Sequence, residues 1–363
     1  MKKRKKLYAP HWRPGMNIQK QRKRRKVFRT VFTTVTLLVL FFALWALHLF
    51  VLPVGKRSIE GYAYVRNNSS AQEIIAQLDS TLHLKTPKLF SFYSKVIGLD
   101  GRLRPGKYAI KGAMSSAQLL MALIHSAQVP VKVTFNAVRT QEELVKKLTA
   151  ELAMSADELQ KKLADPQYCA SMGCDTATIR TIFFPDSYEV YWNTSPEQLI
   201  AKIFANYTDF WTDKRRQQAE NEGLTPQQIS IIASIVEEES AKVEEYSRIA
   251  GLYINRLRKG IPLQADPTVK YALGDFSLKR ILTAHTTVRS PYNTYAIIGL
   301  PPGPIRYPQK STLEKVINFE HHRYLYMCAN PDFSGSHVFA TNYTDHLQNA
   351  YHYRKKLDEM GIQ

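Results

Sequence analysis

The chain has 363 residues, room for two or three small domains, and its 44% hydrophobic content supports real cores. Its formal net charge is +19, from 50 Lys and Arg against 31 Asp and Glu. Residues 1–30 carry 13 of those basic side chains and no acidic one, which leaves 37 basic against 31 acidic elsewhere, so the body lacks the charge of a nucleic-acid binder.

Directly after the tail, Val31 to Leu52 form a run of 22 residues without Asp, Glu, Lys or Arg. About 20 apolar residues span a bilayer. Basic residues stay on the cytoplasmic side, so residues 1–30 are expected inside and everything after Pro53 outside. The run is too long for an ordinary signal-peptide core and no small-x-small cleavage site follows, so it is expected to be an uncleaved signal anchor across residues 31–52. The basic tail then acts as a topology determinant that also touches anionic lipid of the plasma membrane. Nucleic acid is not an expected partner.

Residues 57–131 are expected to form a small α+β module. Gly61–Val65 alternates as a strand, Ser70–Leu78 and Ser115–Ile124 have helical spacing, and Arg104–Ile110 is a turn followed by a strand. Its other reading is a spacer. Val131–Phe135 predicts a strand, Thr140–Leu152 and Ala156–Leu163 predict helices, and Phe183–Tyr188 is an aromatic loop signal. Cys169 and Cys174 are spaced to close a small loop in an oxidising compartment, which would leave Cys328 free and buried. No His follows the pair at zinc-finger spacing, so no metal is expected, and no cofactor either. Glu197–Asn221 predicts one long helix.

The most informative segment is Ser234–Ser240, Ser-Ile-Val-Glu-Glu-Glu-Ser. Thr225-Pro226-Gln227-Gln228 is a helix start, with a capping-box spacing and Pro in the first turn. At about 100° per residue, Glu239 falls about 35° from the centre of the apolar face, whereas Glu237 and Glu238 lie well over 100° away. Ser230, Ser234 and Glu238 form the polar side, and Glu237 and Glu238 are read as flanking polar residues. A carboxyl on the apolar face is desolvated, holds its proton and can give it to a leaving oxygen. The other reading is that the helix ends before Glu239, or that Glu239 pairs with a buried Arg.

Arg248–Arg258 is again helical, and then the composition changes. Leu263–Thr268, Ser290–Tyr295 and Gly299–Ile305 are rich in Pro, Gly, Asn and Tyr, which is loop chemistry. Tyr292 and Tyr295 are candidates to stack on a bound ligand, with Asn293 and Gln264 as hydrogen-bonding partners. Each is equally suited to pin a turn. Asp266 is read as holding its loop rather than assisting charge development, and His337 as a ligand contact or a satisfied core histidine. Glu245 and Arg256 are read as a structural ion pair. Tyr324–Met327 and His337–Thr341 predict a closing strand pair, and Thr344–Lys356 a last helix.

The ordered series Ala233–Ser240, Asn255–Gly260, Leu263–Tyr271, Ser290–Tyr295, Gly299–Ile305 and Ser336–Phe339 resembles the YceG-like (MltG) endolytic murein transglycosylases. The match is strong over 225–356 and looser over 57–222, where Leu103–Tyr108 and Phe183–Tyr188 also fit. Ala265 departs from the hydroxyl residue common in its loop, and the stretch 275–289 differs in sequence. The resemblance implies an α+β chain with a single inner-membrane anchor, a LysM-like module and a mainly helical catalytic domain over 132–358, the latter two periplasmic. It carries the family's catalytic acid onto Glu239. Glu239 would protonate the glycosidic oxygen between MurNAc and GlcNAc in peptidoglycan, then act as base while the sugar's C6 hydroxyl attacks C1, giving a 1,6-anhydro end. Such internal cleavage would terminate nascent strands, in association with membrane peptidoglycan synthases. The alternative from another class is a catalytically silent peptidoglycan-binding scaffold, which would not need Glu239.

Overall fold

The computed structural model describes residues 15–278 and 280–360 and divides the chain into two compact units, Met1–Val129 and Pro130–Gln363. The first 14 residues of the basic tail lie outside the described residues.

The first unit begins with α1 (Gly15–Phe50), followed by β1 (Glu60–Val65), α2 (Ala71–Leu82), α3 (Pro87–Val96), β2 (Gly106–Lys111) and α4 (Ser116–His125). Helix α1 starts inside the basic stretch rather than after it and ends at Phe50, two residues short of the expected span. Its segment Lys20–Phe50 is long and apolar enough to cross a membrane by length and composition. Strands β1 and β2 pair antiparallel from Glu60↔Lys111 to Val65↔Gly106. Alternate strand residues Ala63, Val65, Tyr108 and Ile110 meet Ile74 and Leu78 of α2 and Leu119 and Leu123 of α4 in one core. Serines 70 and 115 each close a full capping box, which is why both helices start where the sequence signals them. Helix α3 was not expected; it opens on Thr86-Pro87, with Pro in the first turn where it is at home.

The second unit runs β3 (Pro130–Phe135), α5 (Gln141–Thr149), α6 (Ala156–Leu163), α7 (Pro166–Ser171), β4 (Asp186–Tyr191), α8 (Pro196–Phe210), α9 (Asp213–Asn221), α10 (Pro226–Glu239), α11 (Tyr246–Arg258), α12 (Asp266–Leu273), α13 (Lys310–Ile317), β5 (Tyr326–Ala329), β6 (His337–Ala340) and α14 (Tyr343–Glu359). It is mainly helical, with two separate antiparallel strand pairs, β3–β4 and β5–β6. The long helix expected over 197–221 is broken. Trp211 is buried against Phe210 and Tyr207, and Thr212 caps the next helix by accepting from the Arg215 amide. The aromatic loop at 183–188 turns into β4 at Asp186, with Tyr188 stacked on Phe135 of β3 at 6.2 Å. The loop-like stretch after Leu263 contains α12, whose Asp266-Pro267 start is a first turn. No disulfide joins Cys169 and Cys174; each thiol donates instead to a carbonyl, of Leu163 and Met172. Cys328 lies half-buried on β5 rather than buried.

Helix α10 is the centre of this unit. Every residue from Ile229 to Val236 is buried, the two serines included, as expected of a helix covered on all sides. The polar side predicted for it is therefore inside the protein. Ser230 donates to the Pro226 carbonyl at 3.1 Å, and Ser234 donates to Ile231 O and accepts from the Ile305 amide at 3.0 Å. The helix begins as its sequence signals: the Thr225 hydroxyl accepts from the Gln228 amide at 3.2 Å and the Gln228 side chain accepts from Thr225 N at 2.9 Å. Thr225→Ala is expected to lower stability by about 1 kcal/mol in equilibrium denaturation, with no loss of the native fold.

Candidate active site

The last turn of α10 holds three consecutive glutamates in three different environments. Glu237 pairs with Arg306 at 3.1 Å and accepts from the Gln309 amide at 2.9 Å and the Thr312 hydroxyl at 2.6 Å. Glu238 takes a two-pronged bond from Arg139, at 2.8 and 3.1 Å, and a third from Arg306 at 2.8 Å. Their side chains are only 8% and 14% exposed, so they are ion-paired anchors and not the solvated flank expected of them. The partners come from elements 68 to 99 residues away, which local helical spacing cannot reveal.

Glu239 is different. It is the final residue of α10, so the helix does not stop short of it, and its hydrogen-bond partner is a phenol rather than an arginine. The Tyr253 hydroxyl, from the buried face of α11, donates to Glu239 Oε2 at 3.0 Å. Burial, and after it the neighbouring Asp266 carboxylate, push the Glu239 carboxyl up to about 7, against the opposing effects of the Tyr253 hydrogen bond and Lys270. Burial and the adjoining Glu239 likewise hold the Tyr253 phenol well above its ordinary value. Near neutral pH a substantial fraction of Glu239 therefore keeps a proton that an exposed carboxyl would have released.

The carboxyl opens on a cavity of about 500 Å³ lined by α11, the start of α12, the strand pair β5–β6 and α14. Five of the seven residues singled out from sequence line it: Glu239, Gln264, Asp266, Tyr295 and His337. Tyr292 and Asn293 do not. The Asn293 side chain is fully buried, donates to the carbonyls of Thr286 and Val288 at 2.9 and 2.8 Å, and accepts from the Tyr295 amide at 3.0 Å, so it pins its turn. Tyr292 lies against Tyr271, ring centroids 4.7 Å apart.

The cavity walls are tied to the helices by polar side chains. Arg256, buried on α11, donates to Pro262 O at 2.8 Å, Leu325 O at 2.7 Å and Gln264 Oε1 at 2.6 Å. It thus gathers the segment before α12 and the entry to β5 onto one helix. The expected Glu245–Arg256 ion pair does not form. Glu245 instead accepts from the His337 amide and from His337 Nδ1, both at 2.8 Å, fixing β6 beside the end of α10. Gln264 sits at φ +53°, a left-handed conformation rare for a side-chain-bearing residue. Its amide donates to Thr294 O at 3.0 Å, which holds it there. Tyr295 donates to Asp266 Oδ1 at 2.6 Å. Behind them Ala265, Thr268 and Thr294 are fully buried, with the Thr294 hydroxyl 3.0 Å from the Ala265 amide and 2.8 Å from the Thr268 hydroxyl. Alanine at 265 thus leaves Thr294 and Thr268 to supply the hydroxyls of this joint.

Tyr253 and His346 are among the lining groups that were missed. Tyr253 carried no signal beyond its place in a helical stretch. His346, on α14, faces the cavity with a buried Nδ1 that has no hydrogen-bond partner among the described residues. Burial and nearby Arg256 hold this imidazole below its ordinary pKa, so it is neutral at pH 7.

A carboxyl on a cavity wall with its pKa raised to about 7, beside a second carboxylate lining the same cavity, is the equipment of a general acid–base site. The YceG-like family model matches residues 63–352, and the chain belongs to that family. It is similar to proteins named endolytic murein transglycosylase. The one from Streptococcus pneumoniae (serotype 2, strain D39) is 29% identical over 329 residues, which cover 81% of this chain and 58% of that protein. The one from Bacillus subtilis (strain 168) is 27% identical over 299 residues, covering 78% of this chain and 81% of that protein. The chain spans little more than half the length of the pneumococcal relatives it matches. The crystal structure of a yceG-like protein from Listeria monocytogenes is similar with a TM-score of 0.52 at 26% identity, covering 80% of this chain and 98% of that one.

A carboxyl whose pKa rises on folding contributes stability that is complete below about 4.5 and is lost as pH climbs through about 7. Glutamine in its place cannot ionise. Glu239→Gln is therefore expected to melt above the parent at pH 8, by up to about 3 kcal/mol of stability, with the difference closing towards pH 4.5. Thermal melting of the detergent-solubilised chain across this range checks it; a parent as stable as the variant at pH 8 would contradict the burial of the charge.

Proposed function

We propose that the chain is an endolytic peptidoglycan transglycosylase, anchored by α1 with its basic N-terminus in the cytoplasm and its site on the outer face of a bacterial inner membrane. The observation that carries this reading is Glu239, a carboxyl held near pKa 7 at the wall of an open cavity, in a chain of the YceG-like family.

Glu239 gives its proton to the oxygen that leaves as the C4 hydroxyl of GlcNAc, as the bond from that oxygen to C1 of MurNAc breaks. The resulting carboxylate takes the proton of the MurNAc C6 hydroxyl, whose oxygen closes on C1. Glu239 ends as it began, no water is consumed, and the product carries a 1,6-anhydro end. The Tyr253 hydroxyl steadies the carboxylate form between the two transfers. Asp266, already placed by Tyr295, offsets the positive charge that builds on the sugar ring as C1 loses its leaving group. Gln264, His337, His346, Tyr326 and Tyr343 are among the polar lining groups that meet sugar hydroxyls and N-acetyl groups. The module over 57–131, read as LysM-like, would hold glycan near the membrane, and internal cuts there would end nascent strands.

Incubation of the full chain with purified peptidoglycan, followed by mass spectrometry, tests the reading. The parent is expected to release fragments with 1,6-anhydroMurNAc ends, and Glu239→Gln to lose at least about a hundredfold in rate, the usual worth of a general acid. Reducing ends would mean a water-using muramidase. Unchanged release by Glu239→Gln would remove Glu239 from the chemistry, and no release by the parent would leave the scaffold.

A further inference from the structure

Helix α3, Pro-Lys-Leu-Phe-Ser-Phe-Tyr-Ser-Lys-Val, has no acidic residue. One face packs on the core of the first unit through Phe90, Tyr93 and Ser94. Its other face is not polar. Phe92 is 54% exposed and Val96 66%, and Leu89 is half-buried beside them. At about 100° per residue, Leu89 and Val96 flank Phe92 on one side and Lys88 and Lys95 on the other, all within about 60° of it. Both lysines are exposed. An apolar stripe edged by cations is the pattern of a helix lying in a membrane interface.

The edge between these two faces adjoins α1. Trp45 meets Tyr93 edge to face at 6.1 Å. The His48 ring lies 3.1 Å from the Thr86 hydroxyl and 3.3 Å from the Tyr93 hydroxyl, at the N-terminal cap and middle of α3. Between the two helices runs an apolar groove whose walls include Phe41, Phe42 and Leu44 of α1 and Phe92 and Val96 of α3. These α1 residues are themselves exposed. Counting about 1.5 Å per residue from Val31, Trp45 and His48 lie about 21–26 Å along the helix, in the distal third of a hydrocarbon core about 30 Å thick.

We propose that α3 is an interfacial helix: its Leu89–Phe92–Val96 face is immersed in the bilayer leaflet around the C-terminal half of α1, and Lys88 and Lys95 reach the anionic headgroups above it. This rests on the reading of α1 as a membrane anchor. Acyl chains are the occupant because whatever covers Phe41, Phe42 and Leu44 on α1 continues without a break onto Phe92 and Val96. Headgroup phosphates match two lysines on a helix without an acid. The membrane is then gripped at two places, and the module is fixed against the bilayer rather than swinging on a single stalk.

The test uses the full chain with Cys169→Ser, Cys174→Ser and Cys328→Ser, carrying one added cysteine at a time: Phe92→Cys, Val96→Cys, Leu38→Cys on α1, or Ala76→Cys on the exposed side of α2. Each is spin-labelled and placed in nanodiscs of phosphatidylcholine and phosphatidylglycerol. Collision with dissolved oxygen, which concentrates in lipid, is compared with collision with a water-soluble nickel chelate. Positions 92 and 96 are expected to favour oxygen several-fold more than position 76, as position 38 does. Nickel access at 92 and 96 equal to that at 76, with 38 still in lipid, overturns the proposal alone. Shielding of 92 and 96 from both reagents overturns it in favour of a protein partner. Nickel access at 38 overturns the anchor reading, and the proposal with it.

Discussion

The site depends on an unequal treatment of three adjacent carboxylates. Glu237 and Glu238 are matched by Arg306 and Arg139, and Glu239, one residue on, is matched by a phenol. A carboxylate buried without a cation is costly, and the group responds by keeping its proton. The two arginine pairs make this tolerable. They fix the backbone of the last turn of α10 from which Glu239 projects, and a partner lost from such a pair leaves an uncompensated buried charge worth several kcal/mol.

Arg256 plays the complementary role on the facing helix. It donates to two backbone carbonyls and the Gln264 side-chain amide, so it organises the wall of the cavity, and among the described residues it forms no ion pair with the acid in it. Glu245 is likewise occupied by β6 through His337. The charges nearest Glu239 that bear on its proton are then Asp266, which raises its pKa, and Lys270, which opposes. Gly251 lets this arrangement close: a Cβ there would lie 2.3 Å from the Glu320 carbonyl, on the chain that leads into β5.

Much of this was legible in the sequence where the governing physics is local. Capping boxes set the starts of α2, α4, α6 and α10, and helical rotation alone separates Glu239 from its two neighbours. What stayed hidden depends on residues far apart in the chain. Glu237 and Glu238 look solvated because Arg306 and Arg139 lie 68 residues or more away. Glu245 and Arg256, eleven residues apart, look like a pair and each bonds elsewhere. In the tyrosine-rich loop, one turn sends Tyr295 to the cavity and Tyr292 to Tyr271, a choice made by the buried Asn293 side chain. The helices α3 and α12 open with proline, which signals a break and a first turn equally well.

The central claim is that protein structure, and not substrate, holds a proton on Glu239. Isotope-edited infrared spectroscopy of the substrate-free chain measures this directly, through the carbonyl stretch of a protonated carboxyl in the parent minus Glu239→Gln difference spectrum. A band that is full at pH 5 and titrates away with a midpoint near 7 is the predicted result. A midpoint at the ordinary glutamate value of about 4.3 would contradict it.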